Sequence, residues 1–520
     1  MADLEGASAA AAIAYSNALI SSPSDAALAS RTYRLAIEAG DRIIALNAAR
    51  ALDLQNALPA DAIILLFTDR LTQRDWNGAE ALLDRLDPKV GLGFLVPVLR
   101  AWMQYGSGSG DPLATLSVPE KDSLILSYAR EHRALILIAR GNFEQGQKEI
   151  TTIATPDARG IALRLAAAAE LAKKGQKSAA LALLNGDDSA ARGAQKLIEA
   201  GKPLAGAVDQ PSEGVAALLS RVASDLMRDR ATPAALTLAR LASFSAPNDD
   251  MARLVLAQAL LANGKADAAM ETLDQIKPTT IFAGALNELR IETLQQAGRD
   301  DAALALAKAV ASKPGASINE QLLLGQSHAR LKQYREAAAA YEVVINRIEG
   351  ENRTAKAGQG AASWSLWLLY GGALDAAKDW ALAKPALERA VALGPEQASA
   401  LNHLGYAMLE RGEGLEEATK LIAKASALRP NDPAITDSLG WAFFKRGQTA
   451  EAITILENAV ASDPTISETS EHLGDAYWTA GRRVDARYTW RAALVQAGDD
   501  AEIINRLNTK IADGLAEKRK

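Results

Sequence analysis

Small apolar residues return along this chain at a fixed interval, with polar and charged residues filling the stretches between them. Ala235, Ala269, Ala303 and Ala337 lie 34 positions apart, and so do Ala418, Ala452 and Ala486. A period of this length marks a chain of like units, each covering its apolar face with the next one. The same marker extends backwards through Ala180, Gly146, Ala79, Ala45 and Ala11, and Ala383 fills the gap before Ala418. Between Ala79 and Gly146 a degenerate unit fits, with a first helix near 93–105 and a short second one near 113–116. The pattern predicts about 14 helical hairpins. In the last segment, Ile503, Ile504, Leu507, Ile511 and Leu515 fall on one helical stripe, the pattern of a helix that covers the open end of such a stack.

The breaks in the period divide the chain. Ala180 and Ala235 are 21 residues too far apart, and the excess reads as a short helix at 190–200 followed by a loop containing Pro211. Ala337 and Ala383 are 12 too far apart, and Gly350, Gly358 and Gly360 mark a soft insertion. The reading is therefore N-terminal units over 1–118, the first of them truncated, and further units over 119–186. An irregular helical insertion follows at 187–213, then units over 214–348 and a flexible insertion at 349–362. C-terminal units over 363–500 and a capping helix over 501–520 complete it. Only ten residues precede Ala11, which is short for a first helix, so the expectation is a chain from which an upstream stretch, including an export signal, has been removed.

Each unit repeats a set of slots. One copy carries Leu439, Gly440 and Phe443 in its first helix, Gly447 at the turn, Ala452 and Ala459 in its second helix, and Pro464 after it. The next carries Leu473, Gly474, Tyr477, Gly481, Ala486 and Ala493, and Trp367 with Gly371 matches in the copy ending at Pro395. Glycine in the first helix lets its partner helix come close, glycine at the turn takes the left-handed conformation, and proline stops the second helix. These residues resemble the tetratricopeptide repeat, whose helices carry W-x2-L-G-x2-Y and A-x3-F-x2-A. The resemblance implies an all-α fold, a superhelical solenoid of antiparallel helix hairpins of tetratricopeptide type.

Composition agrees with a helical chain: aromatic residues make up 5% and alanine and leucine dominate. The net charge is −6 with both signs mixed and no basic block, so no electrostatic footprint for nucleic acid is present. No apolar run approaches the roughly 20 residues of a membrane span, the longest being short ones such as 63–67. There is no cysteine, which removes disulfides and thiolate chemistry and suits an oxidising compartment.

Candidate chemistry is sparse, and no catalytic, metal or cofactor residue is assigned. His403 and His472 share one slot in two copies and His328 takes the slot of Tyr477 and Phe443, which points to packing. No HExxH, nucleophile elbow or phosphate loop occurs. What remains is a surface. In the resembling family the first helices line the concave face, and the slots there hold Asn402, Tyr406, Asp437, Trp441, Phe444, Lys445, Glu471, Asp475 and Trp478. Tyr406, Trp441, Phe444 and Trp478 form an aromatic stripe suited to a protein or peptide partner, and the alternative is that they pack between neighbouring first helices. Peptide-binding members of the family clamp a C-terminal carboxylate with Lys, Asn and Arg. Here Asp437 and Glu471 stand in those slots, which disfavours a chaperone tail. The expected function is a non-enzymatic scaffold in bacterial cell-envelope assembly or secretion, periplasmic or associated with an outer-membrane complex, and the alternative is a cytosolic regulatory or co-chaperone-like adaptor.

Overall fold

A computed structural model of the chain describes residues 2–87, 89–117, 123–185, 188–354, 362–498 and 500–515. Among these residues the chain forms twenty-nine α-helices, one short 3-10 helix at Gly91–Leu95 and no strand. They divide into two compact units, Met1–Glu320 and Gln321–Lys520, so the boundary falls inside the stretch 214–348 and within the helix Ile318–Arg330. The insertion at 187–213 contains the helix Ser189–Glu199, and of the insertion at 349–362 the helix Tyr334–Thr354 covers the first part while 355–361 lie outside the described residues.

The helices pair as antiparallel hairpins, whose first and second members are called A and B below. Local chemistry sets where they begin. The Asp41 carboxylate accepts from the Ile44 N–H at 2.9 Å, and Asp432 caps Ala434 and Ile435 in the same way. The turn between A and B needs one left-handed residue, which Gly447 and Gly481 supply at φ +80° and +83°. Lys332 and Lys378 hold the same turn position at φ +57° and +67° and carry the steric cost of a Cβ there.

The repeated alanines are the seams of the stack. Ala45, Ala79, Ala180, Ala235, Ala269, Ala303, Ala337, Ala383, Ala418, Ala452 and Ala486 all lie in B helices with no exposed surface. Any larger residue would separate a B helix from its A helix. The glycine slot works from the other side, since a Cβ on Gly474 would stand 2.4 Å from the buried Trp490 ring.

The first unit does more than stack. Its A helices Ala26–Ala39, Ala60–Gln73, Val96–Ser107 and Ser123–Ala139 pack against one later hairpin, Pro211–Arg228 with Thr232–Ser245, which the insertion returns to them. Gly214 meets Trp102 so closely that a Cβ would fall 2.1 Å from the indole. The Tyr128 hydroxyl donates to Asp225 at 2.7 Å, and Arg240 reaches the Glu38 carbonyl 202 residues away. The face formed by these early A helices is filled by the chain itself.

At the centre of this packing Trp102 is fully buried and its Nε1 donates to His132 Nδ1 at 2.9 Å. Indole can only donate, so His132 accepts there as a neutral imidazole. Burial lowers its pKa to about 3, in agreement. Beside it, Glu131 is buried and paired with Arg159, with Arg221 at 3.8 Å. Burial raises its carboxyl pKa although both arginines act against that. These groups tie four A helices together, Val96–Ser107, Ser123–Ala139, Ala158–Lys173 and Pro211–Arg228, all within the first unit.

Candidate functional site

In the second unit the A helices Trp364–Ala376, Ala398–Glu410, Pro433–Lys445 and Ser467–Thr479 follow one another, and Ala501–Asp513 takes the place of a fifth. Their main packing partners are helices one or two places along the chain, with a surface ion pair between Lys332 and Asp500 at 3.6 Å as a longer link. Among the described residues of this unit, no returning hairpin fills the A-helix face.

Acids on one A helix meet bases on the next. Asp375 pairs with Arg411 and lies 3.6 Å from His403. Glu410 accepts from Trp441 Nε1 at 2.6 Å and lies 3.4 Å from Lys445. Asp437 contacts His472 Nδ1 through both oxygens at 3.0 Å. Glu471 holds Arg506 in a bidentate pair at 2.8 Å and Lys510 at 2.7 Å, and Lys510 also reaches Asp475 at 2.7 Å. The 34-residue period generates this ladder: a slot facing the groove on one helix faces its counterpart on the next, and opposite charges there stitch consecutive units.

The predicted aromatic stripe is part of the ladder. Trp441 is 7% exposed, with its ring stacked between His472 at 3.9 Å and Phe444 at 4.9 Å. The Lys445 ammonium stands 4.8 Å above the same ring. Tyr406 donates its hydroxyl to Glu468 at 2.5 Å, skipping a whole unit, and burial together with that carboxylate raises its pKa far above the phenol range. Trp478 is half-buried, lies 5.5 Å from Trp490, and packs under Gly514 of the last turn. Asn402 is half-buried, and its Oδ1 has no hydrogen-bond partner among the described residues.

The buried charges respond to these contacts in different directions. Burial alone would lower the pKa of His472, but the charge and hydrogen bond of Asp437, aided by Glu468, reverse this and raise it. Burial pulls Glu471 upward, yet Arg506 and Lys510 overcome it and hold the carboxyl at about 2. Asp475 stays above its ordinary value because burial outweighs Lys510.

Sequence-predicted residues thus fall into two adjoining groups. Asn402, Tyr406, Asp437, Trp441, Phe444 and Lys445 lie on consecutive A helices, and His472 joins Tyr406, Asp437, Trp441 and, through the stack, Phe444. Glu471, Asp475 and Trp478 lie against the terminal helix. Sequence reasoning missed His472 as the hub and Arg506 and Lys510 as the ties. The available signal was the 35-residue step from Asp437 to His472 and from Glu471 to Arg506. No group of three His, Cys, Asp or Glu side chains able to hold a metal occurs among the described residues, and no helix among them is long and apolar enough to cross a membrane.

The model of the tetratricopeptide repeat family matches residues 223–285, 371–433 and 438–502. The chain carries tetratricopeptide repeats. The last two matched stretches contain the candidate residues from Asn402 to Trp478 except Asp437, which falls between them, while Arg506 and Lys510 lie beyond the last. A comparison with curated protein sequences found no match. Among solved structures, the chain is similar to the APC/C hetero-tetramer Cut9-Hcn1, at 14% identity over 97% of this chain and 94% of that one, with a TM-score of 0.40. It is also similar to MamA of AMB-1, at 21% identity over 34% of this chain and 97% of that one, with a TM-score of 0.27. A thermophilic tetratricopeptide protein of Thermus thermophilus matches at 21% identity over 37% and 98%, with a TM-score of 0.31. Likenesses of this size say nothing about what these tetratricopeptide repeats bind.

Proposed function

We propose that this protein is a non-enzymatic scaffold that binds a partner polypeptide along the A-helix face of its second unit, in assembly or secretion at a bacterial cell envelope. Tetratricopeptide repeats are a protein-interaction scaffold, and the observation that carries the choice of face is the contrast between the units. Early A helices of the first unit are covered by the hairpin Pro211–Arg228 and Thr232–Ser245, whereas no returning hairpin among the described residues of the second unit covers its A helices. Along the open face, Glu410, Lys445 and Glu468 are exposed. The aromatic residues support the face from beneath, so they act by holding the charged edge in place. Absence of cysteine suits an oxidising compartment and supports the envelope assignment.

The test is a cross-linked pull-down from native cells with the full chain and with the exposed-edge variant Glu410→Lys/Lys445→Glu/Glu468→Lys. Helicity at the assay temperature should stay close to wild type, while stability falls by ~1–3 kcal/mol for each of the Trp441 and Tyr406 donors that loses its carboxylate. Partner recovery should fall at least ~10-fold, which corresponds to about 1.4 kcal/mol of lost binding. Equal recovery by the folded variant would remove this face from consideration. Fractionation of the same cells tests location: recovery in the cytosol alone would favour the adaptor reading.

A further inference from the structure

The B helices of the second unit, from Tyr334–Thr354 to Arg483–Gln496, all turn the same slots to solvent: two residues before the marker alanine, and two, five and nine after it. In every B helix of this unit before the last, these slots hold alanine, proline or polar residues, with Glu342, Glu388 and Glu457 at the position five after the alanine. The last one holds Val484, Tyr488, Arg491 and Val495. Val484, Tyr488 and Val495 are 68%, 67% and 79% exposed, so the ordinary solvent face of a hairpin has become apolar and its acid has become a base.

Spacing makes these residues a ridge. At i, i+4, i+7 and i+11 they fall within about 60° of one another around the axis and run along ~17 Å of helix. Large apolar side chains exposed singly need no explanation, but three in line mark an interaction site. One flank of the ridge carries Arg483, Arg487 and Arg491, each a turn from the next. Arg483 and Arg487 lie 5.1 and 5.0 Å from the Trp478 ring and Arg491 lies 5.9 Å from the Tyr488 ring, and none of them has a carboxylate partner among the described residues. Arg506 and Lys510 of the ladder, by contrast, are held by Glu471 and Asp475. On the other flank Asp485 pairs with Arg482, which also approaches Glu457 of the preceding B helix at 3.5 Å.

We propose that this face docks an acidic amphipathic helix of another protein. Its apolar stripe lies along Val484, Tyr488 and Val495, as helices recognised through i, i+4 and i+7 anchors do. Its acids lie on one edge and pair with Arg483 and Arg491, whose planar guanidinium groups suit carboxylates and have none in the chain. The occupant is one helix wide. A broad anionic surface such as a bilayer laid on the ridge would also press against Asp485 and Glu457, whereas a single helix follows the arginine flank and leaves both acids in water. The buried Ala486, Trp490 and Ala493 separate this ridge from the A helix of the same hairpin, so the site is distinct from the A-helix face and both can be occupied together.

The probe is a labelled helical peptide of about 18 residues with leucine on one stripe and glutamate on one flank of it, compared with the same peptide carrying lysine on that flank. The full chain should bind the glutamate peptide at concentrations up to ~100 µM, and at least ~10-fold more tightly than the lysine peptide. Val484→Ser/Tyr488→Ser should weaken binding at least ~10-fold, and Arg483→Glu/Arg491→Glu should reverse the preference between the peptides. These positions are exposed, so helicity should not change. Because the chain has no cysteine, the contact can also be mapped by disulfide formation with a cysteine in the leucine stripe. Ala492→Cys should cross-link at least ~10-fold faster than Asn458→Cys, the same exposed slot one hairpin earlier. Failure of the folded chain to bind the glutamate peptide, equal affinity for both peptides, or equal cross-linking at the two positions would overturn the proposal. So would capture of the chain by phosphatidylserine vesicles but not by the peptide, which would assign the ridge to a membrane, or a dimer dissolved by Tyr488→Ser, which would assign it to a second copy.

Discussion

The two units use the same hairpin for opposite ends. In the first, the A helices close on a hairpin delivered from 211–245, and contacts such as Tyr128 with Asp225 and Arg240 with Glu38 join residues about 100 and 200 positions apart. In the second, the A helices are tied to their neighbours by a charge ladder, and no returning hairpin among the described residues of that unit covers the face. A repeat array is often treated as a sum of units with nearest-neighbour terms. That description suits the second unit and fails for the first, where one hairpin touches several others and local opening must break all of those contacts together. The lesson is that repeat slots specify how a unit stacks, while the path of the chain between units decides whether the stack stays open.

The largest test of this contrast is Trp102→Ala. It removes a fully buried indole and leaves His132 Nδ1 without its donor, at an expected cost of ~3–5 kcal/mol. Hydrogen exchange should show protection lost jointly in 26–139 and 211–245, with the second unit unchanged. Loss confined to 96–107 would mean that the first unit also opens hairpin by hairpin. Next in size is Lys510→Met, which leaves the buried Glu471 and Asp475 short of their shared cation and should cost ~3 kcal/mol. Here exchange should rise only in 467–515, fraying from one end. Spread of the effect back to 398–445 would show the ladder acting as one element.

The smallest test uses pH and the opposite signs of two histidines. His132 has a lowered folded pKa, so its contribution is present above the unfolded value of ~6.5 and is lost as pH falls. His472 has a raised one, so its contribution is complete below ~6.5 and is lost as pH rises through its folded pKa. Taking the protein from pH ~7.5 to ~5.5 should destabilise the first unit by ~1 kcal/mol while the second holds or gains, read as exchange protection in each. Parallel behaviour of the two units would contradict the assignment of charge to these rings.

Much of the fold is legible in the primary structure because its cause is local. The eleven buried marker alanines sit where spacing predicts them, since a seam in every hairpin requires the same small residue. The insertion at 187–213 is legible as a break in period. Its consequence is not, because the hairpin that follows carries the same slots, Ala235 and Ala242, as any other, and nothing in them distinguishes a neighbour from a distant A helix. Gly214 is the one local hint, a small residue where Trp102 needs room. At the candidate site, Asp437, Trp441, Glu471 and Asp475 are legible as groove positions, but their partners are less so. The apolar stripe of the last helix already accounts for its cap role, so Arg506 and Lys510 read as ordinary solvated charges until the helix is seen against Glu471.

The returning hairpin also constrains descent. An open stack can gain or lose one 34-residue unit through unequal recombination, because any A–B seam accepts any other and the new joint resembles the old. The second unit is free to lengthen or shorten in this way, and its groove changes span without a change in construction. The first unit is not. Adding or removing a hairpin between 26 and 139 would shift Trp102 out of register with Gly214 and Tyr128 with Asp225, so its number of repeats is held by selection on a closed shape.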